Sequence, residues 1–276
     1  MKKTHESLIN MTTIHCFFSG GRDSAVACTI AKKVADVRGW RFKLVFIDTT
    51  ISIRMTQDYV KRYAEWLNAE LVVIRPEQTF AEYATKYGMW PALQPPRFRW
   101  CYYKLKLRPT IKYIHENYSK GDLLVLGVRK SESLFRDKFY TSTFIERKYG
   151  SVVTKVWLPL LHVDNNMLEK LVDIYGIPRN PVWKFGFSGE CLCLAGSAPH
   201  KVAMVMRNFP EETQELLSID DAINKNRRNG KPSAPFLIHK AGFKTLREFY
   251  NFVMSQTTLD QYIIPYGKEC SGSCML

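Results

Sequence analysis

Apolar, β-prone runs alternate with segments of helical period along the first two thirds of the chain, and this alternation restricts the fold more than any other feature. "TTIHCFF" ends at Phe18, a glycine turn follows, and "SAVACTIAKKVADVRG" carries helix formers as far as Gly39, where a helix would close. The plan then repeats. "FKLVFID" reads as a buried strand with Met55, Tyr59, Tyr63, Trp66 and Leu67 at helical spacing behind it, and "AELVVIRP" as a third strand before a short helix bearing Phe80, Tyr83, Ala84 and Tyr87. Strands linked through helices pair in parallel, so the expected fold is α/β: an open, mainly parallel twisted sheet flanked by helices.

Residues 88–100 are rich in proline and aromatics without period and read as a loop, followed by a basic helical stretch over 102–118. "DLLVLG" is a further buried strand and "TKVWLPLLHV" the last, with Leu168, Leu171, Val172 and Tyr175 forming a helix closed by Gly176. Beyond Pro178 no strand of similar quality occurs, and the segments 201–208, 212–228 and 243–256 are helical in pattern. The expected organisation is a nucleotide-binding α/β domain over 1–178 and a helical, cysteine-bearing segment over 179–276.

Forty Lys and Arg against twenty-six Asp and Glu give a net charge of +14, which suits polyanions: nucleotides, sulfate esters, tRNA or DNA. No run approaches the ~20 apolar residues of a membrane span, and "MKKTHESLINMTT" lacks the apolar stretch of a secretion signal, so the expected location is the cytoplasm. Seven cysteines without an export signal point to metal or thiol chemistry more than to a disulfide framework. Cys16 and Cys28, in an apolar strand and helix, are expected as buried core.

The turn itself is "SGGRDS", Ser19 to Ser24, at the carboxyl end of the first strand, where open parallel sheets bind ligands and helix N-termini present unpaired N–H groups to anions. Gly20 and Gly21 permit the backbone angles of a phosphate-wrapping turn, and Ser19 and Ser24 add hydroxyl donors. Neither the GxxxxGK[ST] nor the GxGxxG spacing is present.

This turn resembles the SGGxDS loop of the PP-loop ATP pyrophosphatases, with Arg22 where lysine is common. In that family, the resemblance implies, the loop holds the β and γ phosphates of ATP while an acceptor oxygen attacks the α phosphate. Other stretches are similar to the phosphoadenosine phosphosulfate (PAPS) reductase-like branch. "IDTT" places Asp48 and Thr49 beside the nucleotide; "WCYYKLKLRP" maps Cys101, Lys104, Lys106 and Pro109; "GVRKSESLFR" maps Gly127, Arg129, Glu132, Ser133 and Arg136. "YGIPRNPVWKFG" resembles the segment where that branch finishes its sheet. Arg129 and Arg136 are seven residues apart, about two helical turns, so both can face one anion, with Glu132 orienting an arginine.

The carboxyl-terminal "KECSGSCML" departs from the E-C-G-x-H of the branch's reductases: Glu269-Cys270 is kept, Ser271 replaces glycine, and Cys274 is added. Two close pairs, Cys191 with Cys193 and Cys270 with Cys274, are an arrangement that assembles four-thiolate sites, here for a 4Fe-4S cluster with zinc or a redox disulfide as alternatives. Cys101 is left open between ligand and catalyst.

The reading is an enzyme that binds ATP with Mg²⁺, cleaves it to AMP and pyrophosphate, and supports sulfur transfer, with Asp23, Cys101 and Cys270 as catalytic candidates. Its expected partners are a tRNA or DNA acceptor, a sulfur donor protein or thioredoxin-like reductant, and a second copy of the chain. Two alternatives stay open: a thiol-dependent reductase of PAPS or adenylyl sulfate using Cys270, and a basic nucleic-acid-binding accessory protein with a regulatory nucleotide pocket.

Overall fold

The computed structural model describes residues 13–93, 98–132, 134–187, 189, 191–227 and 233–256. Contacts divide the chain into two compact units, each built from discontinuous segments. The first comprises the described residues of Met1–Asp48, Met55–Arg75 and Arg108–Glu190, the second those of Thr49–Arg54, Pro76–Leu107 and Cys191–Leu276. The switch nearest Pro178 falls at residues 190 and 191.

The first unit holds a six-stranded sheet in the order β3-β2-β1-β4-β6-β5. Its strands are β1 (Thr13–Phe18), β2 (Arg41–Ile47), β3 (Glu70–Ile74), β4 (Leu123–Val125), β5 (Phe144–Tyr149) and β6 (Val152–Trp157). All pairings are parallel except β5 with β6, so β5 is an antiparallel edge. Every residue of β1 is buried, as a central parallel strand covered on both faces must be. Helix α1 (Arg22–Arg38) packs on β1 and buries Ala25, Ala27, Cys28 and Ala31, small side chains that permit a close approach. It ends at Gly39, whose φ of +67° lets its N–H reach back to the last carbonyls. Helix α2 (Arg54–Trp66) buries Tyr59 and Tyr63, and Tyr63 stacks on Phe18 with ring centroids 4.4 Å apart.

The strand order reverses beside β1, since β2 and β3 lie to one side and β4 and β6 to the other. That reversal opens the crevice in which doubly wound sheets bind ligands, and residues 19–24 stand there. Two sequence expectations are corrected. The strand expected across 154–163 stops at Trp157, because Pro159 begins a turn. The preceding edge strand β5 was not anticipated: "FIERKY" carries three consecutive charged residues and exposes Glu146 and Lys148, without the apolar run of a buried strand.

The second unit is helical. It contains α3 (Phe80–Tyr87), a π-helix at Tyr102–Leu107, α7 (Pro199–Asn208), α8 (Pro210–Lys225), α9 (Phe236–Lys240) and α10 (Leu246–Ser255). Between the two groups in sequence, and in the first unit, lie α4 (Arg108–Asn117), α5 (Leu134–Phe139) and α6 (Asn165–Ile174). The basic stretch expected as one helix over 102–118 is thus a π-helix running into α4. Helix α3 opens on a capping box in which Thr79 and Glu82 satisfy each other's backbone N–H groups. Trp90 and Trp100 are buried against Phe80, so these loop aromatics are used in packing. Helices α7, α8 and α10 pack together, and the Asp220 carboxylate of α8 accepts Trp90 Nε1 at 2.9 Å and the backbone N–H of Leu246 at 2.9 Å.

Cys16 and Cys28 are fully buried, as expected, and joined in a disulfide. Packing of α1 on β1 sets their Cα atoms 5.6 Å apart, inside the span a disulfide requires.

Candidate functional site

In the first unit the turn between β1 and α1 is held open by its own hydroxyls. Gly20 takes φ +77°, a left-handed angle that glycine adopts without a Cβ clash, and Gly21 caps α1 with no side-chain bond to the first-turn N–H groups. Ser24 Oγ donates to Gly21 O at 2.9 Å and accepts the Ser19 N–H at 3.1 Å, while the Ser19 and Ser24 hydroxyls meet at 3.1 Å. The result is a concave turn at a positive helix end, with two hydroxyls and unpaired N–H groups, the chemistry of an anion cradle.

Buried charges frame this turn. The Asp23 carboxylate is ion-paired with Arg129, and both side chains are nearly inaccessible. Arg129 also donates to Ser131 Oγ and Asn165 Oδ1, each at 2.9 Å. Glu132 accepts the Arg129 N–H at 3.2 Å and pairs with Arg136. The interval from Arg129 to Arg136 is not one helix: a 3-10 turn at Lys130–Glu132 precedes α5, and the two guanidiniums are held by different carboxylates. Gly127 makes the close approach possible, since a Cβ there would lie 2.7 Å from Asp23 C and Ser24 N. Arg22 points away to the surface pair with Glu169, and Asp48 holds Arg75 Nε at 2.8 Å.

The second unit carries a separate constellation. Cys101, Cys191 and Cys193, none of them disulfide-bonded, line one cavity of about 100 Å³ with Thr49, Tyr102, Leu105, Lys106 and the Ala195-Gly196-Ser197 backbone. Three backbone anomalies border it. The π-helix supplies Tyr102, Leu105 and Lys106, while Thr50 (φ +61°) follows Thr49 and Leu194 (φ +55°) follows Cys193. π-turns and left-handed non-glycine residues cost energy and cluster at functional sites. Lys104 instead lies over the Tyr83 ring, 5.6 Å from its centroid. Among the described residues no group of three or more His, Cys, Asp or Glu side chains is arranged to hold a single metal ion. Cys270 and Cys274 lie outside the described residues.

The sequence reading did not single out Asn180 and Trp183, which both donate to Gly20 O; of the two mapped lysines, Lys106 lines the cavity. "RNPVWKFG" was visible as a motif, but nothing in its spacing discloses a target 160 residues away. His15 is structural: it meets Tyr113 Oη at 2.7 Å and Asp122 at 3.3 Å, and burial lowers its pKa.

Residues 13–189 match the phosphoadenosine phosphosulfate reductase domain. The protein MJ0973 of Methanocaldococcus jannaschii is 33% identical over 189 residues, 68% of this chain, and MJ0066 of the same organism is 28% identical over 215 residues, 76% of this chain. The chain spans 42% of the length of each of these relatives. The crystal structure of the PAPS reductase from Candida auris in its phosphate complex superposes with a TM-score of 0.51 at 17% identity, covering 68% of this chain and 85% of that one. No helix among the described residues is long and apolar enough to cross a membrane.

Proposed function

Because the chain belongs to the phosphoadenosine phosphosulfate reductase domain family, we propose that it is an enzyme that binds ATP at residues 19–24, cleaves it between the α and β phosphates, and delivers the adenylated group to sulfur. The turn at the head of α1 carries this reading: two serine hydroxyls, a left-handed Gly20 and uncapped first-turn N–H groups are the donors a phosphate group takes.

An acceptor oxygen attacks the α phosphorus, the bond to the α–β bridging oxygen breaks, and pyrophosphate leaves with the electron pair. A sulfur nucleophile then displaces AMP from the adenylate. The cradle holds the departing pyrophosphate and stabilises the charge that develops on it; Mg²⁺ arriving with ATP would supply further neutralising charge. Asp23 acts through Arg129, because the buried pair fixes the first turn of α1 where the hydroxyls point. Arg136, held by Glu132, keeps the following segment in place.

Sulfur chemistry is supported by the thiols of Cys101, Cys191 and Cys193 on one cavity. Thiolates are the ligands of iron-sulfur clusters, and a 4Fe-4S cluster distributes them over separate irons, whereas zinc draws its ligands around one ion. The donor set suits such a cluster, with Cys270 and Cys274 as further thiolates, and when bound it supplies iron that carries sulfur or electrons. The charge of +14 suits tRNA or DNA as the acceptor.

The test is anaerobic incubation with Mg-ATP, scoring AMP and pyrophosphate against ADP and phosphate beside a Ser19→Ala, Asp23→Ala double variant. AMP and pyrophosphate, lost in the variant, are expected. Sulfite release from PAPS without ATP cleavage would replace this reading with the thiol-dependent reductase.

A further inference from the structure

The carbonyl of Gly20 accepts two side-chain hydrogen bonds, from Asn180 Nδ2 at 3.1 Å and from Trp183 Nε1 at 3.0 Å. The Asn180 amide has no choice of orientation. Its Oδ1 accepts the Val182 N–H at 3.2 Å, which caps the 3-10 helix Pro181–Phe185, so its NH₂ group faces Gly20 O and Thr56 Oγ1 at 3.3 Å. Trp183 is held edge-on to Tyr59, centroids 5.8 Å apart, and Tyr59 Oη in turn donates to Pro178 O at 2.8 Å. Residues 178–183 are therefore fastened at both ends beside the turn.

A trans peptide is planar, so its N–H points opposite to its C=O. With the Gly20 carbonyl drawn toward Asn180 and Trp183, the Gly21 N–H faces the side of the turn that carries the Ser19 hydroxyl. Its contact there is long, 3.4 Å to Ser19 Oγ. Flanked by two glycines, this peptide meets little steric resistance to flipping. The flipped form would aim a carbonyl oxygen at the place where an anion sits. We propose that Asn180 and Trp183 are positioning residues of the phosphate loop, selecting the orientation of the Gly20–Gly21 peptide in which its N–H, and not its carbonyl, faces the bound phosphate.

The inference rests on residues 19–24 being a phosphate site, and the experiment separates the two. The probe is pyrophosphate, titrated calorimetrically into the full chain, with the Gly21 amide followed by NMR on glycine-labelled protein. Trp183→Phe keeps the ring and deletes one donor. It is expected to weaken pyrophosphate binding by about 3- to 10-fold, the loss of one neutral hydrogen bond from the competent state. The Gly21 resonance should shift while the melting transition is retained, a combination that a merely structural role for Trp183 would not produce. Asn180→Asp, which sets an acceptor against the carbonyl, is expected to weaken binding further; if it fails to fold, Trp183→Phe decides alone. An unchanged Gly21 resonance and unchanged affinity in Trp183→Phe would overturn the proposal while leaving the phosphate site intact. Wild-type protein that binds no pyrophosphate would overturn the phosphate site, and this inference with it.

Discussion

Breaking the Cys16–Cys28 disulfide removes a cross-link between residues 12 apart in sequence, and the size of the effect follows from that separation. For a closed loop of this length the chain-entropy relation gives about 9 to 10 cal/mol/K, or about 3 kcal/mol at 25 °C, favouring the cross-linked native state. For a chain of this size about 3 kcal/mol corresponds to a fall of about 6–12 °C in melting temperature. Both cysteines are fully buried, so reductant acts slowly on the folded protein. The comparison is best made by reducing in denaturant, refolding with the thiols kept reduced, and recording urea unfolding beside the oxidised protein. Thiol titration must show two more reactive groups in the reduced sample when unfolded. Cys16→Ala, Cys28→Ala protein gives an independent measure, with added loss from the deleted sulfurs. Equal unfolding midpoints for oxidised and reduced protein, with the thiol count verified, would refute the reasoning. It would mean that α1 and β1 stay associated in the unfolded chain without the bond.

Gly127→Ala sets a Cβ 2.7 Å from backbone atoms of Asp23 and Ser24 that cannot rotate aside. It is expected to cost about 1–3 kcal/mol of overpacking and to abolish pyrophosphate binding in calorimetry. Arg129→Leu strands the buried Asp23 carboxylate and should destabilise the fold by about 3–5 kcal/mol in urea unfolding, whereas Asp23→Asn, Arg129→Leu together should recover part of that loss. Burial pushes Asp220 up to about 6 from 3.8, against hydrogen bonds from Trp90, Arg247 and Leu246. Because the native state holds this proton more tightly than the unfolded chain, the contribution favours folding below about pH 4 and is lost as pH rises through about 6, by at most about 3 kcal/mol. Unfolding curves of Asp220→Asn should lack this component of the pH slope.

The position of the glycine turn at residues 19–24 was legible because three local signals coincide there: an apolar run, a glycine doublet and a helix-forming segment. β1, β2 and α1 were legible for similar reasons, each declaring itself within one period. β5 was not, because an edge strand needs only one buried face and "FIERKY" supplies even that weakly. The disulfide was missed because its partners sit on a strand and a helix, and only the packing of one on the other brings them together. The grouping of Cys101 with Cys191 and Cys193 depends on a fold that returns to the same unit after 90 residues, which no spacing rule encodes. Asn180 and Trp183 are similar: their donors are obvious, but the acceptor is set by tertiary structure alone.

The interleaved segments also set an order of assembly during synthesis. The first unit receives its last stretch at Glu190, so a chain emerging amino end first can close its sheet, with the disulfide and the turn at residues 19–24 already inside it. The second unit cannot begin in earnest until Cys191 and the helices after it have appeared, although residues 49–54 and 76–107 were made long before. Those early segments wait as excursions from a finished sheet. A chain interrupted just past residue 190 should therefore retain a cooperative sheet with the turn at residues 19–24 formed, whereas one that begins at Pro76 should form neither unit.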